Sequence, residues 1–476
     1  MDSDKQALEA AAISNLERIF VLQRAAYLTD TFPSEAVRRD RIKRLLAMIK
    51  DNRSAIEDTI SADFGNRSKD ETLMETHGTV DEIRHTLKHF AKWMKTERRP
   101  VALVSFLNRA EIIRQPLGVV GIVVPWNYPL YLAASPMVGA LAAGNRMMVK
   151  MSADTPSFSA LFAKLVAQTF KVEEVHVVTG GGRQFTSIPF DHILYTGSTA
   201  VGSQVMAAAA PNLTPVTLEL GGKSPTIIAE DASLEYAVKH IIFGKMSNAG
   251  QTCVAPDYVI LPRKLEQKFL AMAKQVVESF YPSLQDNQNY TCVVNEKQAQ
   301  RLRGYIDDAR AQGADIHPLH SEVTPEGSRK FVPLAISKVK DSMLVMQEEI
   351  FGPLLPLVVY DNFDEVIHYV NDHPRPLALY LFTNDRACRE KVLRQTISGG
   401  VTINGVMLQV NEHDLPFGGV GASGMGHYHG KDGFDTFSKL KSVLQQSSIN
   451  GVSMAFPPRS NGRFRRILES SLSKKD

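Results

Sequence analysis

From residue 109 onward, short β-branched runs alternate with helical ones, and they do so in two successive series. RAEIIRQPLGVVGIVVPWN carries a strand pair split by Gln115-Pro116, and NRMMVKM is a further short strand. Between them, PLYLAASPMVGALAAG reads as a small-residue helix able to pack closely on a sheet. EEVHVVTG, FDHILYTG and TPVTLELGG continue as strands, with AVGSQVMAAAA as a helix among them. A second series starts at TIIAE and runs through LEYAVKHIIFGKM, PDYVILP and EQKFLAMAKQVVESF to VPLAISKV, LPLVVY, ALYLFT and VTING. Strands that alternate with helices must lie parallel, with helices covering both faces of the sheet. The expected fold is therefore α/β, with two open sheets in series that join near Leu220–Gly222. The preceding hundred residues read as helices, one of them capped by Ser34. FSKLKSVLQQSS reads as a strand on another surface, followed by a polar, basic end.

Composition narrows the function. A chain of 476 residues with 54 Lys+Arg against 51 Asp+Glu has a net charge of +3, which gives no basic surface for a polyanion and argues against nucleic acid. Cys253, Cys292 and Cys388 are too scattered for a disulfide framework or a C-x-x-C metal site. His85 and His89 lie four apart in H-T-L-K-H, without the glutamate of a zinc-protease helix, and are expected on a solvated helix face. The N-terminus has no basic stretch followed by an apolar one, and the apolar runs are broken by Pro125, Pro129, Pro136 and Gly144. A cytoplasmic protein with reduced thiols and no membrane span is expected.

Several residues stand where chemistry is possible. Gly197-Ser-Thr-Ala-Val-Gly202 follows the strand HILYT and opens a helix, whose unpaired N–H groups suit a pyrophosphate. Gly419-Val-Gly421-Ala-Ser-Gly424 matches G-x-G-x-x-G, but DLPF before it is no buried parallel strand and MGHYHG after it is no helix, so a glycine-rich loop is expected. Cys253, in SNAGQTCVAPDY, is either an inert buried thiol or a nucleophile at the mouth of a site; the loop favours the second. Glu219 ends a strand at Gly221-Gly222, as a solvated carboxylate or as a general base that a substrate can approach. Asn127, between Pro125 and Pro129, is a turn former or an amide held toward an oxyanion.

Taken jointly, PWNYP (125–129), ELGGKSP (219–225), GQTC (250–253), EEIFGP (348–353) and LPFGGVGASGMG (415–426) carry a resemblance. In order and separation they resemble the NAD(P)-dependent aldehyde dehydrogenase superfamily, over residues of roughly 30 to 446. The run from Pro116 to Ser152 looks most like class 3-type members, and among these like bacterial coniferyl aldehyde dehydrogenases. The resemblance implies a Rossmann-like cofactor domain (1–98 and 116–220), a catalytic domain (221–422), a small β flap that bridges dimers (99–115 and 437–446) and a polar tail (447–476). It implies that Cys253 attacks the aldehyde, that Asn127 holds the oxyanion and that Glu219 activates water. Lys150, Gly197, Ser198, Gly202, Trp126, Glu349 and Phe351 match cofactor contacts, the cofactor being NAD or NADP. Tyr128, Tyr131 and Phe417 suggest an apolar, partly aromatic pocket, hence an aromatic or medium-chain aldehyde.

Other readings stay open at the level of sequence. A thiol hydrolase would need a histidine base, and His413, His427 and His429 belong to no motif. A CoA-acylating dehydrogenase would share the thiol, but the match at Glu219 argues against it. A non-catalytic descendant should have lost the nucleophile or the base. A homodimer is expected. Ala153 stands where NAD-preferring members carry Glu, so use of both cofactors is expected unless Asp154 substitutes; Arg183 could add a second positive group.

Overall fold

The computed structural model describes residues 2–102, 106–449, 456–457 and 462–473. Residues 103–105 of the expected flap, and 450–455, 458–461 and 474–476 of the expected tail, lie outside them.

Both alternating series form sheets. In the first, Val216–Glu219, His192–Thr196, Val119–Val123, Arg146–Lys150 and Val175–Val178 lie side by side in that order, all parallel. Chain order reverses between Val119–Val123 and His192–Thr196, so the connections that leave their C-terminal ends run to opposite sides. A crevice opens there in any doubly wound sheet. Gly424–Met425 adds a short antiparallel edge beside Val216–Glu219, pairing Gly424 with Glu219.

The second sheet has seven strands: Asp315–Pro318, Leu334–Ser337, Leu354–Tyr360, Tyr258–Pro262, Pro225–Ile228, Ala378–Phe382 and Gly400–Ile403. Only its first pair is antiparallel. The chain leaves the first sheet after Glu219 and enters the second at Pro225, where the sequence places the join.

A third sheet is small and antiparallel, with Arg109–Pro116 between Glu97–Arg99 and Ser438–Gln445. Here the structure corrects the expected split at Gln115-Pro116. Pro116 still pairs with Ser438, and the break comes at Leu117-Gly118. The two halves of the run belong to different sheets, because a proline is tolerated at a strand end where no ladder donor is needed.

The small-residue helix is Tyr131–Ala143, and every residue from Leu132 to Ala143 is buried. It packs against Glu35–Asp51, which Ser34 caps by accepting from the Val37 N–H, and against the long helix Lys69–Trp93. His85 and His89 depart from expectation. Their rings lie 4.5 Å apart and His85 lies 5.2 Å from His413, so they form a half-buried cluster beside Trp93 rather than a solvated face. The basic end contains a helix, Arg463–Leu472, on which Ile467 and Leu468 are exposed. Among the described residues no helix is long and apolar enough to cross a membrane, and no cluster of His, Cys, Asp and Glu could hold a metal ion.

Candidate active site

The crevice is a cleft of about 300 Å³. It takes one wall from the turn after Val119–Val123 (Pro125, Trp126, Asn127) and another from the turn after His192–Thr196 (Gly197, Ser198). Glu219, Leu220 and Gly221 come from the crossing between the sheets, and Cys253, Glu349 and Phe351 from the second sheet's loops. The sequence motifs therefore converge although they are far apart in the chain.

Cys253 reaches the cleft by an unusual backbone. Asn248, Ala249 and Gly250 follow one another at φ 49°, 52° and 75°, all left-handed. Gly250 is needed there twice over, since a Cβ would also stand 2.4 Å from the Gly352 carbonyl oxygen. The turn is tied to its surroundings by amides. Asn248 Nδ2 donates to the carbonyls of Asn127 (3.0 Å) and Gln251 (3.2 Å). Gln251 Nε2 donates to the Cys292 carbonyl (3.0 Å), and Gln251 Oε1 accepts from the Val294 N–H (2.9 Å). Asn127, only 3% exposed, donates its own amide to the Gln251 carbonyl at 3.2 Å, two residues from the thiol.

The electrostatics are those of a dry site. Burial, and then the charges of Glu349 and Glu219, push the Cys253 thiol up to about 12, while the N–H groups of Cys253 and Val254 pull the other way. Glu219 is no solvated strand end. It is 2% exposed, neither carboxylate oxygen has a hydrogen-bond partner among the described residues, and burial holds its carboxyl well above the usual range. A carboxylate with no donor is a strong proton acceptor once ionised, which suits a base. Glu349 lies across Gly221, where a Cβ would come within 2.1 Å of Oε2. Burial, then the charge of Asp257, push its carboxyl up to about 8.

The Glu349 segment is fixed from behind. Arg301 donates to the carbonyls of Glu349 (3.1 Å) and Ile350 (2.8 Å), and Asp257 accepts from the Ile350 N–H at 2.9 Å. Lys223 pairs with Asp257 and donates to the Val345 carbonyl. Phe351, itself at φ 47°, meets Trp126 edge-on at 5.3 Å. Ser198 caps helix Thr199–Ala209 by accepting from the Val201 N–H, leaving first-turn N–H groups for an anion, and Gly202 lies in that helix against Leu220.

The remaining candidates stand back from the cleft. Lys150 ends its strand as expected, but its Nζ donates to the Met151 carbonyl at 2.7 Å, and burial lowers its pKa. Tyr128 shares a hydrogen bond of 3.0 Å with Thr252 under the Arg67 guanidinium. Tyr131 meets His429 at 3.2 Å, and Phe417 stacks on the same imidazole at 5.0 Å. These three aromatics form the packing behind the Asn127 and Cys253 segments rather than the cleft wall. Gly419–Gly424 is a loop, as expected, ending in the edge strand at Gly424. Sequence reasoning missed Asn248, Gln251, Glu71 and Arg301. The first two stood inside SNAGQTC, while the others lie on helices where nothing in the pattern marks them.

A thiol on a cleft that opens beside the switch point of a doubly wound sheet, with a helix N-terminus at one end, fits an oxidoreductase that works through cysteine and a bound dinucleotide. The cleft fits such a group: free N–H groups for phosphates, the Glu349 carboxylate for hydroxyls and an aromatic pair for a flat ring. The chain belongs to the aldehyde dehydrogenase family, whose model matches residues 28–443, and family members use NAD(P). It is 49% identical over 451 residues to the probable coniferyl aldehyde dehydrogenase of Pseudomonas aeruginosa, covering 94% of each chain. It is 38% identical over 433 residues to the dimeric NADP-preferring aldehyde dehydrogenase of Rattus norvegicus, covering 90% of this chain and 94% of the relative. The solved structure of Staphylococcus aureus AldH in a substrate-bound state superposes with a TM-score of 0.90 at 35% identity, over 95% of this chain and 99% of that one.

The raised proton affinity of this half-buried thiol leads to a direct expectation for the enzyme without cofactor. Thiolate is scarce at neutral pH when the thiol titrates near 12, and its fraction grows tenfold per pH unit. Alkylation of Cys253 by iodoacetamide, followed by peptide mass spectrometry, should therefore accelerate about tenfold per unit between about pH 7 and 9. A rate flat across that range would mean that the thiol is already ionised.

Proposed function

We propose that the protein oxidises aromatic or medium-chain aldehydes, coniferyl aldehyde among them, to the carboxylic acid. The observation that carries the proposal is the meeting of Cys253, Asn127 and Glu219 in one cleft, with Glu219 buried and without a hydrogen-bond partner among the described residues. Cys253 gives up its S–H proton to solvent and adds as the thiolate to the aldehyde carbon, and the resulting oxyanion takes hydrogen bonds from the Asn127 amide and the Cys253 N–H. When bound, the nicotinamide supplies the acceptor for the hydride. Cys253 is then left as a thioester. Glu219 removes a proton from the water that attacks it, and acid and free thiol are released. Gly197, Ser198, Gly202, Trp126, Lys150, Glu349 and Phe351 hold the cofactor in this reading. Residues 1–98 with 116–220 serve as the cofactor body and 221–422 as the catalytic body.

The two half-reactions separate experimentally. Cys253→Ala should form no acid. Glu219→Gln should give a first-turnover burst of reduced cofactor and then stall, with a steady-state rate about 10²–10⁴-fold lower. An unchanged steady-state rate in Glu219→Gln overturns its assignment.

The relative from Pseudomonas aeruginosa supports the substrate class. Each buried CH₂ contributes about 0.8 kcal/mol, so kcat/KM should rise along a series of aliphatic aldehydes, and coniferyl aldehyde and benzaldehyde should be good substrates. Succinic semialdehyde outperforming hexanal and coniferyl aldehyde would refute this reading.

Both cofactors are used in this proposal. Ala153 offers no carboxylate to the adenosine ribose, and Asp154 is already engaged, its Oδ1 accepting from Asn295 Nδ2 at 3.1 Å. Without a fixed negative charge at that point, a 2′-phosphate meets no repulsion. The kcat/KM values for NAD and NADP should lie within about 10–50-fold, or about 1.4–2.3 kcal/mol. Ala153→Glu should shift preference to NAD, and strict NAD use by the unmutated enzyme rejects the idea.

Assembly as a homodimer is also proposed, with residues 99–115 and 437–446 as the bridge. It is supported by the three-stranded sheet, whose edge strand Ser438–Gln445 exposes Leu440 and Leu444, and by the dimeric relative from Rattus norvegicus. Three free cysteines support a cytoplasmic location.

A further inference from the structure

Helix Lys69–Trp93 sends glutamates inward at 71, 75 and 82, and two of them grip the two halves of the site. Glu75 Oε1 accepts from the N–H groups of Leu130 (2.9 Å) and Tyr131 (3.0 Å), just beyond Asn127. Its other oxygen pairs with Arg67 at 2.8 Å, both side chains fully buried. Glu71 Oε1 accepts from the Asn248 N–H at 2.7 Å, and Oε2 accepts from the Thr291 hydroxyl at 2.6 Å. Asn248 is the first residue of the left-handed turn that leads to Cys253.

We propose that Glu71 is a positioning residue for the nucleophile, and that one turn of this helix sets the spacing between the oxyanion amide and the thiol. The proposal rests on the roles given above to Cys253 and Asn127. Two non-glycine residues in left-handed conformation hold only where the surroundings determine them, and Glu71 supplies the bond to the backbone at the turn's start. Glu71 and Glu75 are four residues apart, a fixed rise of about 6 Å along a helix. The segment with Asn127 and the segment with Cys253 are thus referred to one rigid element. Asn248 closes the arrangement by donating to the Asn127 carbonyl. A misplacement of about 1 Å between reacting groups can cost about 10²-fold in rate.

The test is the pre-steady-state burst of reduced cofactor in Glu71→Ala, Glu71→Gln and Thr291→Val. Glu71→Ala should slow the burst about 10–100-fold while cofactor KM stays within about twofold. Glu71→Gln should keep at least about a third of the wild-type burst rate, since its carbonyl still accepts from Asn248 and its amide can donate to Thr291. Thr291→Val, which removes one grip and keeps the other, should fall between them and covers the case in which Glu71→Ala does not fold. Equal burst rates in the Gln and Ala variants, fast or slow, overturn the proposal, as does a wild-type burst in Thr291→Val. Cys253→Ala, run alongside, separates the two claims. If it still forms acid, the reading of the nucleophile fails; if it is dead while Glu71→Ala bursts normally, only the positioning role fails.

Discussion

A carboxylate withdrawn from water must find donors or lose the stability of its charge, and this protein builds its centre from both outcomes. Glu71, Glu75 and Glu82 each find a donor: a backbone N–H and a hydroxyl, two backbone N–H groups, and the Ser135 hydroxyl. They hold together helix Tyr131–Ala143, the Asn127 segment and the turn that leads to Cys253. Glu219 is just as buried and finds no donor among the described residues. The first group makes the centre rigid, and the last leaves within it one acceptor free to act on a proton.

The alternation of strands and helices was legible because period and composition change together: β-branched runs of four to seven residues cannot be mistaken for the amphipathic helices between them. The break between the third sheet and the first was harder. Pro116 draws the eye as a strand breaker, yet it sits harmlessly at a strand end while Leu117-Gly118 makes the turn. His85 and His89 were misjudged for a related reason. Their spacing on a helix says nothing of His413, which approaches from a distant loop and turns an apparent outer face into an internal contact.

The site divides along the same line. Cys253, Glu219 and Asn127 could be singled out because each sits in a loop or strand end among glycines or prolines, where a polar side chain has little packing to do. Glu71 and Arg301 were invisible. On their helices they resemble any solvated charge, and only the fold shows that one reaches the turn at Asn248 and the other the carbonyls at Glu349 and Ile350. The aromatic residues show the converse. Tyr128, Tyr131 and Phe417 adjoin the motifs in sequence, yet they turn toward Thr252 and His429, not toward the cleft.

The short edge strand at Gly424–Met425 has a consequence for how the molecule comes into being. It pairs with Leu218 and Glu219, and the Leu220 N–H donates to the Ser423 carbonyl at 3.1 Å. The strand carrying Glu219 therefore waits, during synthesis, for a partner encoded after the whole of the second sheet. Until that late segment emerges, this edge of the first sheet is open. A nascent chain can complete its first sheet's parallel core early, but the edge beside Glu219 closes only after the whole of the second sheet has been made.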